Sequence, residues 1–169
     1  MKEYIAGLVR GASTPLEARN IVREYLQARI LGAMQRAGAM IPLSFHGGTA
    51  LRFLYATGRY SEDLDFALEK NRDDYDFHKY LESIGSELTA EGYNVGLKVS
   101  DKKIVHGAFV NLRGLLSRIK SADSISTDWL ISPVTPARRN IKGSARAVLL
   151  PLWRRHVCRH AGGRPDSAS

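Results

Sequence analysis

The sequence has little of what disulfide-bonded, secreted or membrane-spanning proteins need. Cys158 is the single cysteine in 169 residues, which excludes an internal disulfide and fits a reducing cytoplasm. No apolar run approaches the ~18–20 residues of a membrane span. The N-terminal MKEYIAGLVRGAS lacks the continuous apolar segment of a signal peptide. With 44% apolar and 25% charged residues, the composition predicts a globular cytoplasmic protein.

Acidic residues are scarce toward the C-terminus. Residues 119–169 carry nine Lys and Arg against three Asp, so they hold +6 of the net charge of +8. This segment is rich in Ser, Ala, Arg and Pro. Apart from the short apolar run AVLLPLW, it shows no sustained hydrophobic periodicity. We therefore predict a core domain over residues 1–118 and a basic, poorly ordered tail over residues 119–169. Such a tail suits nucleic-acid phosphates, or it is a solvated segment without a partner.

The first 118 residues alternate between helix and strand patterns. Thr14, Pro15 and Glu17 form a helix start with a capping box, and the helix is expected to end near Gly38. Three arginines are placed on its outward face: Arg19, Arg23 and Arg36. The segment MIPLSF predicts a buried strand. A helix over TALRFLYAT follows, with Thr49 as a possible N-cap and an apolar stripe of Leu51, Leu54 and Tyr55.

The segment SEDLDFAL alternates strictly and predicts a half-buried strand. A second helix over DYDFHKYLESIGSELTAEG is expected to stop at Gly92. The segments YNVGLKVS and IVHGAFVNL, joined by DKK, predict an antiparallel hairpin. This order of elements indicates a mixed α/β (α+β) domain with helices flanking a mixed sheet.

Asp63 and Asp65 are the first candidates for chemistry. Residues i and i+2 of a strand point the same way, so the two carboxylates would stand side by side. Two such groups repel unless a cation lies between them, and Mg²⁺ prefers oxygen ligands while keeping positions open for phosphates. The alternative is an exposed edge strand with a solvated acidic face.

Gly47 and Gly48 lie between a strand and a helix, fifteen residues before the aspartates. A glycine turn there brings backbone amides close to a phosphate, and Thr49 adds a hydroxyl. The alternative is a tight strand-to-helix turn. The glycine and aspartate signals together are far more specific than either one alone.

The wording of this stretch, FHGGTALRFLY followed by RYSEDLDF, resembles the AbiEii family of nucleotidyltransferase-like toxins of abortive-infection and toxin–antitoxin systems. The resemblance extends to about Ser117 and implies a polymerase-β-type nucleotidyltransferase core. It implies that Gly47, Gly48 and Thr49 cradle a nucleoside triphosphate. It also implies that Asp63 and Asp65 hold Mg²⁺ or Mn²⁺.

Further implications concern Arg59, Ser61, the reaction and the partners. Arg59 and Ser61 match the family's Arg-x-Ser, for an anion contact and a strand-positioning hydroxyl; the alternatives are a surface arginine and a turn serine. The implied reaction transfers a nucleotidyl group to a hydroxyl of RNA, such as a tRNA end, or of a protein. A cognate antitoxin is the further partner that the resemblance implies.

The C-terminal part departs from the family pattern. The third carboxylate of such sites has only Asp123 and Asp128 as candidates; neither has a convincing strand pattern, and Asp128 before WLI is favoured. The family's later helical half has no counterpart. These features predict a truncated or frameshifted member. The alternatives are an inactive remnant that binds nucleotide or antitoxin, and a short variant that binds RNA through its basic tail.

Overall fold

The computed structural model describes residues 2–69, 75–100, 106–113, 128–131 and 135–136. The helices are α1 Lys2–Val9, α2 Pro15–Arg36, α3 Gly47–Tyr55 and α4 Phe77–Ala90. The strands are β1 Leu43–His46, β2 Asp65–Leu68, β3 Asn94–Ser100, β4 Gly107–Arg113, β5 Asp128–Ile131 and β6 Thr135–Pro136. The predicted mixed α/β class is confirmed.

Helix α2 begins and ends at local sequence signals. The Thr14 hydroxyl accepts a hydrogen bond from the Glu17 N–H at 3.1 Å, while the Glu17 carboxylate accepts one from the Ser13 N–H at 2.7 Å. At the other end the chain leaves the helix through Gly38, whose φ is +83°. That conformation suits glycine, so the predicted start and stop are confirmed.

The surroundings of α2 differ from those expected of an amphipathic surface helix. Helix α1, which the sequence analysis did not predict, packs on it through the buried Ile5 and a Tyr4–Tyr25 ring contact of 5.4 Å. Helix α4 packs elsewhere along it. Arg23 is only 7% exposed, so its predicted outward position is wrong. The reason is that the segment before β2 also packs on α2 and accepts this arginine.

Strand β2 lies in the middle of a three-stranded mixed sheet of order β1-β2-β6. It pairs antiparallel with β1, where His46 lies opposite Asp65, and parallel with β6. Pairing with β1 extends from Asp65 to Leu68 and pairing with β6 covers Ala67 and Leu68, so β2 is an interior strand. The alternative of an exposed edge strand is therefore wrong for the described residues.

The second sheet has the order β3-β4-β5. Strands β3 and β4 form the predicted antiparallel hairpin, whose connection over residues 101–105 lies outside the described residues. Strand β5 adds to β4 with Asp128 opposite Asn111. The expectation that Asp128 lacks a strand is therefore wrong; its neighbour β4 supplies the pairing that the local pattern did not reveal. Asp123 lies outside the described residues.

Helix α3 presents a different face to the core from the one predicted. Its buried residues are Thr49, Ala50 and Phe53, whereas Leu51 is 52% and Tyr55 72% exposed. Thr49 is not the N-cap, because the helix already begins at Gly47. The predicted stripe fails because sheet contacts with β1 and β2, rather than the number of apolar residues, decide which face is covered.

Helix α4 joins the parts into one core. Asp76 caps its first turn by accepting from the Lys79 N–H at 3.0 Å, and Gly92 follows its end with a φ of +84°. Its buried side chains belong to the same apolar cluster as those of α2, β1, β2 and β4. No helix within the described ranges is long and apolar enough to cross a membrane.

Candidate functional site

The two aspartates stand on one side of the chain around the start of β2. Leu64 and Phe66 are fully buried, whereas Asp63 and Asp65 are half-buried. The predicted alternation over these four residues is therefore confirmed. Burial of Leu64 and Phe66 anchors the backbone and leaves both carboxylates on the opposite, partly exposed side of the chain.

The glycine turn packs directly against this side of the chain. Gly47 has a φ of +78°, and a Cβ there would overlap Oδ2 of Asp65 and lie 2.9 Å from its Cγ. A Cβ on Gly48 would lie 2.9 Å from Oγ of Ser61. Both glycines thus allow the turn to approach the Asp65 carboxylate and the Ser61 hydroxyl closely. Gly47 meets Asp65, eighteen positions along the chain, and Gly48 meets Ser61, thirteen positions along it.

Thr49 is buried, at 1% exposure, and its hydroxyl donates to the main-chain carbonyl of Asp63 at 2.5 Å. The structure therefore uses this hydroxyl to hold the aspartate segment. The nucleotide-binding role expected of Thr49 stays a prediction. We call Gly47, Gly48, Thr49, Ser61, Asp63 and Asp65 together the glycine–aspartate site.

The electrostatics of the site disfavour two free carboxylates. Burial, followed by the charges of Asp65 and Glu62, raises the pKa of Asp63, while the Arg23 guanidinium acts in the opposite direction. Desolvation and like charge both penalise the ionised form. A cation between the two carboxylates would remove that penalty.

Helix α2 supplies two site supports that the sequence analysis missed. The Gln27 side chain donates from Nε2 to the carbonyl oxygens of Ser61 and Glu62, both at 3.0 Å. The Arg23 guanidinium donates to the Glu62 carboxylate at 2.6 Å. The available signal was the four-residue spacing of Arg23 and Gln27 on one helix, which places two polar groups on the same face.

Arg52 and Arg59 take different positions. The Arg52 guanidinium contacts the Glu24 carboxylate, with 3.0 Å between Nη2 and Oε2, donates to the carbonyl of Thr57 and lies 4.3 Å from the Tyr60 ring centre. Arg52 therefore links α2 to the segment that follows α3. Arg59, further along that chain, is exposed.

The donor set fits a divalent cation. Asp65 on β2 and Asp63 just before it offer oxygen ligands side by side, and burial together with the like charge of Asp65 raises the pKa of Asp63. Mg²⁺ commonly takes one or two carboxylates and completes its shell with water and phosphate oxygens. In the part of the chain that the structure describes, no group of three or more His, Cys, Asp or Glu side chains converges.

The sequence model of one protein family, described as "Nucleotidyl transferase AbiEii toxin, Type IV TA system", matches residues 29–141. This range spans more than half of the chain and contains the whole glycine–aspartate site. No curated protein and no solved structure matches the chain. Because the match covers most of the chain and the whole site, the chain belongs to the AbiEii nucleotidyl transferase toxins of type IV toxin–antitoxin systems.

Proposed function

We propose that the protein transfers a nucleotidyl group from a nucleoside triphosphate to a hydroxyl of RNA or of a protein, with Mg²⁺ or Mn²⁺ as cofactor. Asp63 and Asp65 would hold the metal. Gly47 and Gly48 would admit the triphosphate to the first turn of α3. Membership of a nucleotidyl transferase family supports the reaction class.

One observation carries the proposal: the Gly47–Gly48 turn lies directly against Asp65 and Ser61. The first backbone N–H groups of a helix have no partner within it and favour anions. Gly48 is exposed and Gly47 is partly exposed, whereas Thr49 and Ala50 are buried, so the accessible part of this first turn lies at the two glycines, beside the carboxylates. An anion site adjacent to a cation site is what a metal-bound triphosphate requires.

In the proposed reaction the acceptor oxygen forms a bond to the α-phosphorus. The bond from that phosphorus to the bridging oxygen breaks, pyrophosphate leaves with the electron pair, and the hydroxyl proton is released to solvent. When bound, the metal supplies positive charge to the phosphate oxygens. Thr49 holds the Asp63 backbone, Ser61 lies against the turn, and the exposed Arg59 is a further candidate for an anion contact.

The test is transfer of label from an α-labelled nucleoside triphosphate to RNA or protein acceptors. We expect Asp63→Asn to lose about 100-fold or more of the transfer, because the metal would lose one of its two carboxylates. Glu69→Gln is the matched control, since Glu69 is an exposed carboxylate just after β2. Equal transfer by the wild type and Asp63→Asn would overturn the proposal.

The biological setting follows from the same membership. We propose a cytoplasmic toxin with a cognate antitoxin as partner and a tRNA end or another RNA among its acceptors. Omitting either the RNA or the protein fraction from the labelling reaction identifies the acceptor class. Label on neither class would contradict both acceptor assignments.

A second candidate is an inactive, truncated member that retains nucleotide, antitoxin or RNA binding. The nine basic residues of 119–169 favour its RNA-binding form. Such a protein would show no label transfer but would bind RNA with an affinity that falls steeply as salt increases. Salt-independent binding would contradict the contribution of the basic segment.

A further inference from the structure

Gln27 is a buried polar residue, 2% exposed, and lies on helix α2 one turn after Arg23. Its amide nitrogen carries two N–H groups, and the two carbonyl oxygens within reach belong to consecutive residues, Ser61 and Glu62. Both donors of one side chain are therefore committed to the backbone immediately before Asp63.

The next carbonyl along the chain is held as well. The Thr49 hydroxyl donates to the Asp63 carbonyl, so three successive carbonyls accept from side chains of two different helices. Strand pairing of β2 with β1 begins only at Asp65. The segment that carries Asp63 is thus held by these side-chain donors together with the buried Leu64 that follows it.

We propose that Gln27 is a positioning residue of the metal site, an inference that rests on the proposed function. It holds the Ser61–Glu62 backbone so that the Asp63 carboxylate stands beside that of Asp65. Arg23 supports the same segment from one turn earlier through Glu62, whose side chain is largely exposed. Gln27 is the stronger restraint of the two, because its buried amide makes two hydrogen bonds to the backbone itself, whereas Arg23 reaches the segment only through an exposed side chain.

Loss of the two donors should therefore act on metal binding rather than on substrate binding. Gln27→Met keeps a long side chain of similar shape but leaves both carbonyls without their partner. We expect the affinity for Mn²⁺, measured by calorimetry on nucleotide-free protein, to fall about 10- to 100-fold. We expect kcat for label transfer to fall by a similar factor, while KM for the triphosphate changes less than about 3-fold.

The matched control is Ile84→Val, which removes one methylene from a fully buried side chain on α4. It lowers stability from a different element and changes neither a candidate ligand nor a hydrogen-bond donor to the aspartate segment, so Mn²⁺ affinity and kcat should stay at the wild-type values. If Gln27→Met binds Mn²⁺ as tightly as Ile84→Val does, Gln27 has only a structural role and the inference is overturned. Should Gln27→Met not fold, Gln27→Asn withdraws the same amide by one methylene; unchanged Mn²⁺ affinity in that variant would overturn it equally.

Asp63→Asn separates this inference from the proposed function. If Asp63→Asn weakens Mn²⁺ binding and Gln27→Met does not, the metal site stands and the positioning role fails. If both weaken Mn²⁺ binding but the wild type transfers no label, the positioning role stands and the proposed reaction fails. If Asp63→Asn leaves Mn²⁺ binding unchanged, the proposed metal site fails, and the positioning role fails with it.

Discussion

At the scale of single residues, the most constrained position is Gly47. It combines a backbone conformation that L-residues rarely adopt with a side of the Cα that faces the Asp65 carboxylate. Either feature alone would favour glycine. Together they tie the shape of the strand-to-helix turn to the placement of a candidate metal ligand.

We expect Gly47→Ala to lower the free energy of unfolding by more than Gly92→Ala does. Both residues have a positive φ, which costs about 1–2 kcal/mol for alanine, but a Cβ on Gly92 meets nothing within 4 Å. The excess cost at Gly47 comes from displacing Asp65. Urea unfolding of the two variants measures it, and equal losses would show that the turn does not press on the carboxylate.

A second prediction at this scale concerns how the ionisation of Asp63 makes stability depend on pH. Its folded pKa lies above its ordinary value, so between the unfolded and folded pKa values the folded state binds more protons. The free energy of unfolding therefore falls as pH rises through that interval, and the loss persists at neutral pH. Without metal, Asp63→Asn should be more stable than the wild type at neutral pH.

The same comparison has two internal controls. Below the ordinary aspartate pKa of about 3.9 the carboxyl is protonated in both states, so the stability difference due to ionisation should disappear. Added Mg²⁺ should stabilise the wild type more than Asp63→Asn, since the proposed metal site exists only in the folded state. A neutral-pH wild type that is more stable than Asp63→Asn in the absence of metal would contradict the assigned pKa direction.

At the scale of elements, α3 shows that packing, rather than the number of apolar residues on a face, decides which face of a helix is buried. Its apolar residues occur on more than one face, and its contacts with β1 and β2 cover the face that holds Ala50 and Phe53. Leu51 and Tyr55 remain exposed. The same orientation directs Thr49 inward, where it reaches the Asp63 carbonyl.

This orientation predicts unequal costs for two truncations in α3. Phe53→Ala should lower the free energy of unfolding by about 3–5 kcal/mol, as is typical of a buried phenylalanine. Leu51→Ala should change it by no more than about 0.5 kcal/mol, because the side chain is largely in water already. Thermal or urea unfolding distinguishes the two, and a larger cost at Leu51 would restore the stripe predicted from the sequence.

At the scale of the whole molecule, strands from beyond residue 118 complete both sheets. Strand β6 pairs with β2, next to the aspartates, and β5 pairs with β4. The division into a core over 1–118 and a basic tail over 119–169 stays a prediction. The family match, which reaches residue 141, favours a core that includes these strands.

Shortened chains test where the core ends. We expect a chain of residues 1–141 to unfold near the temperature of the full protein. A chain of residues 1–118 should unfold at a lower temperature or aggregate, since it loses the strands that cover one edge each of β2 and β4. Equal melting temperatures for the two shortened chains would instead support the boundary near 118.

Several features could be predicted from the sequence because they depend on neighbours within a few residues. The Thr14 cap, the Gly38 and Gly92 stops and the alternation around Asp63 and Asp65 are of this kind. The glycine turn and the aspartate pair also revealed the family. Helix caps and side-chain periodicity depend only on residues close together in the chain, so they can be predicted without knowledge of the fold.

Only the tertiary structure decided which distant groups meet. The contacts of Thr49 with Asp63, of Gln27 with Ser61 and of Arg23 with Glu62 join residues 14, 34 and 39 positions apart. No local pattern specifies such a pair, because each contact arises when α2, α3 and the segment before β2 pack together. The sequence by itself thus determined the glycine turn and the candidate ligands, whereas packing decided which side chains hold them in place.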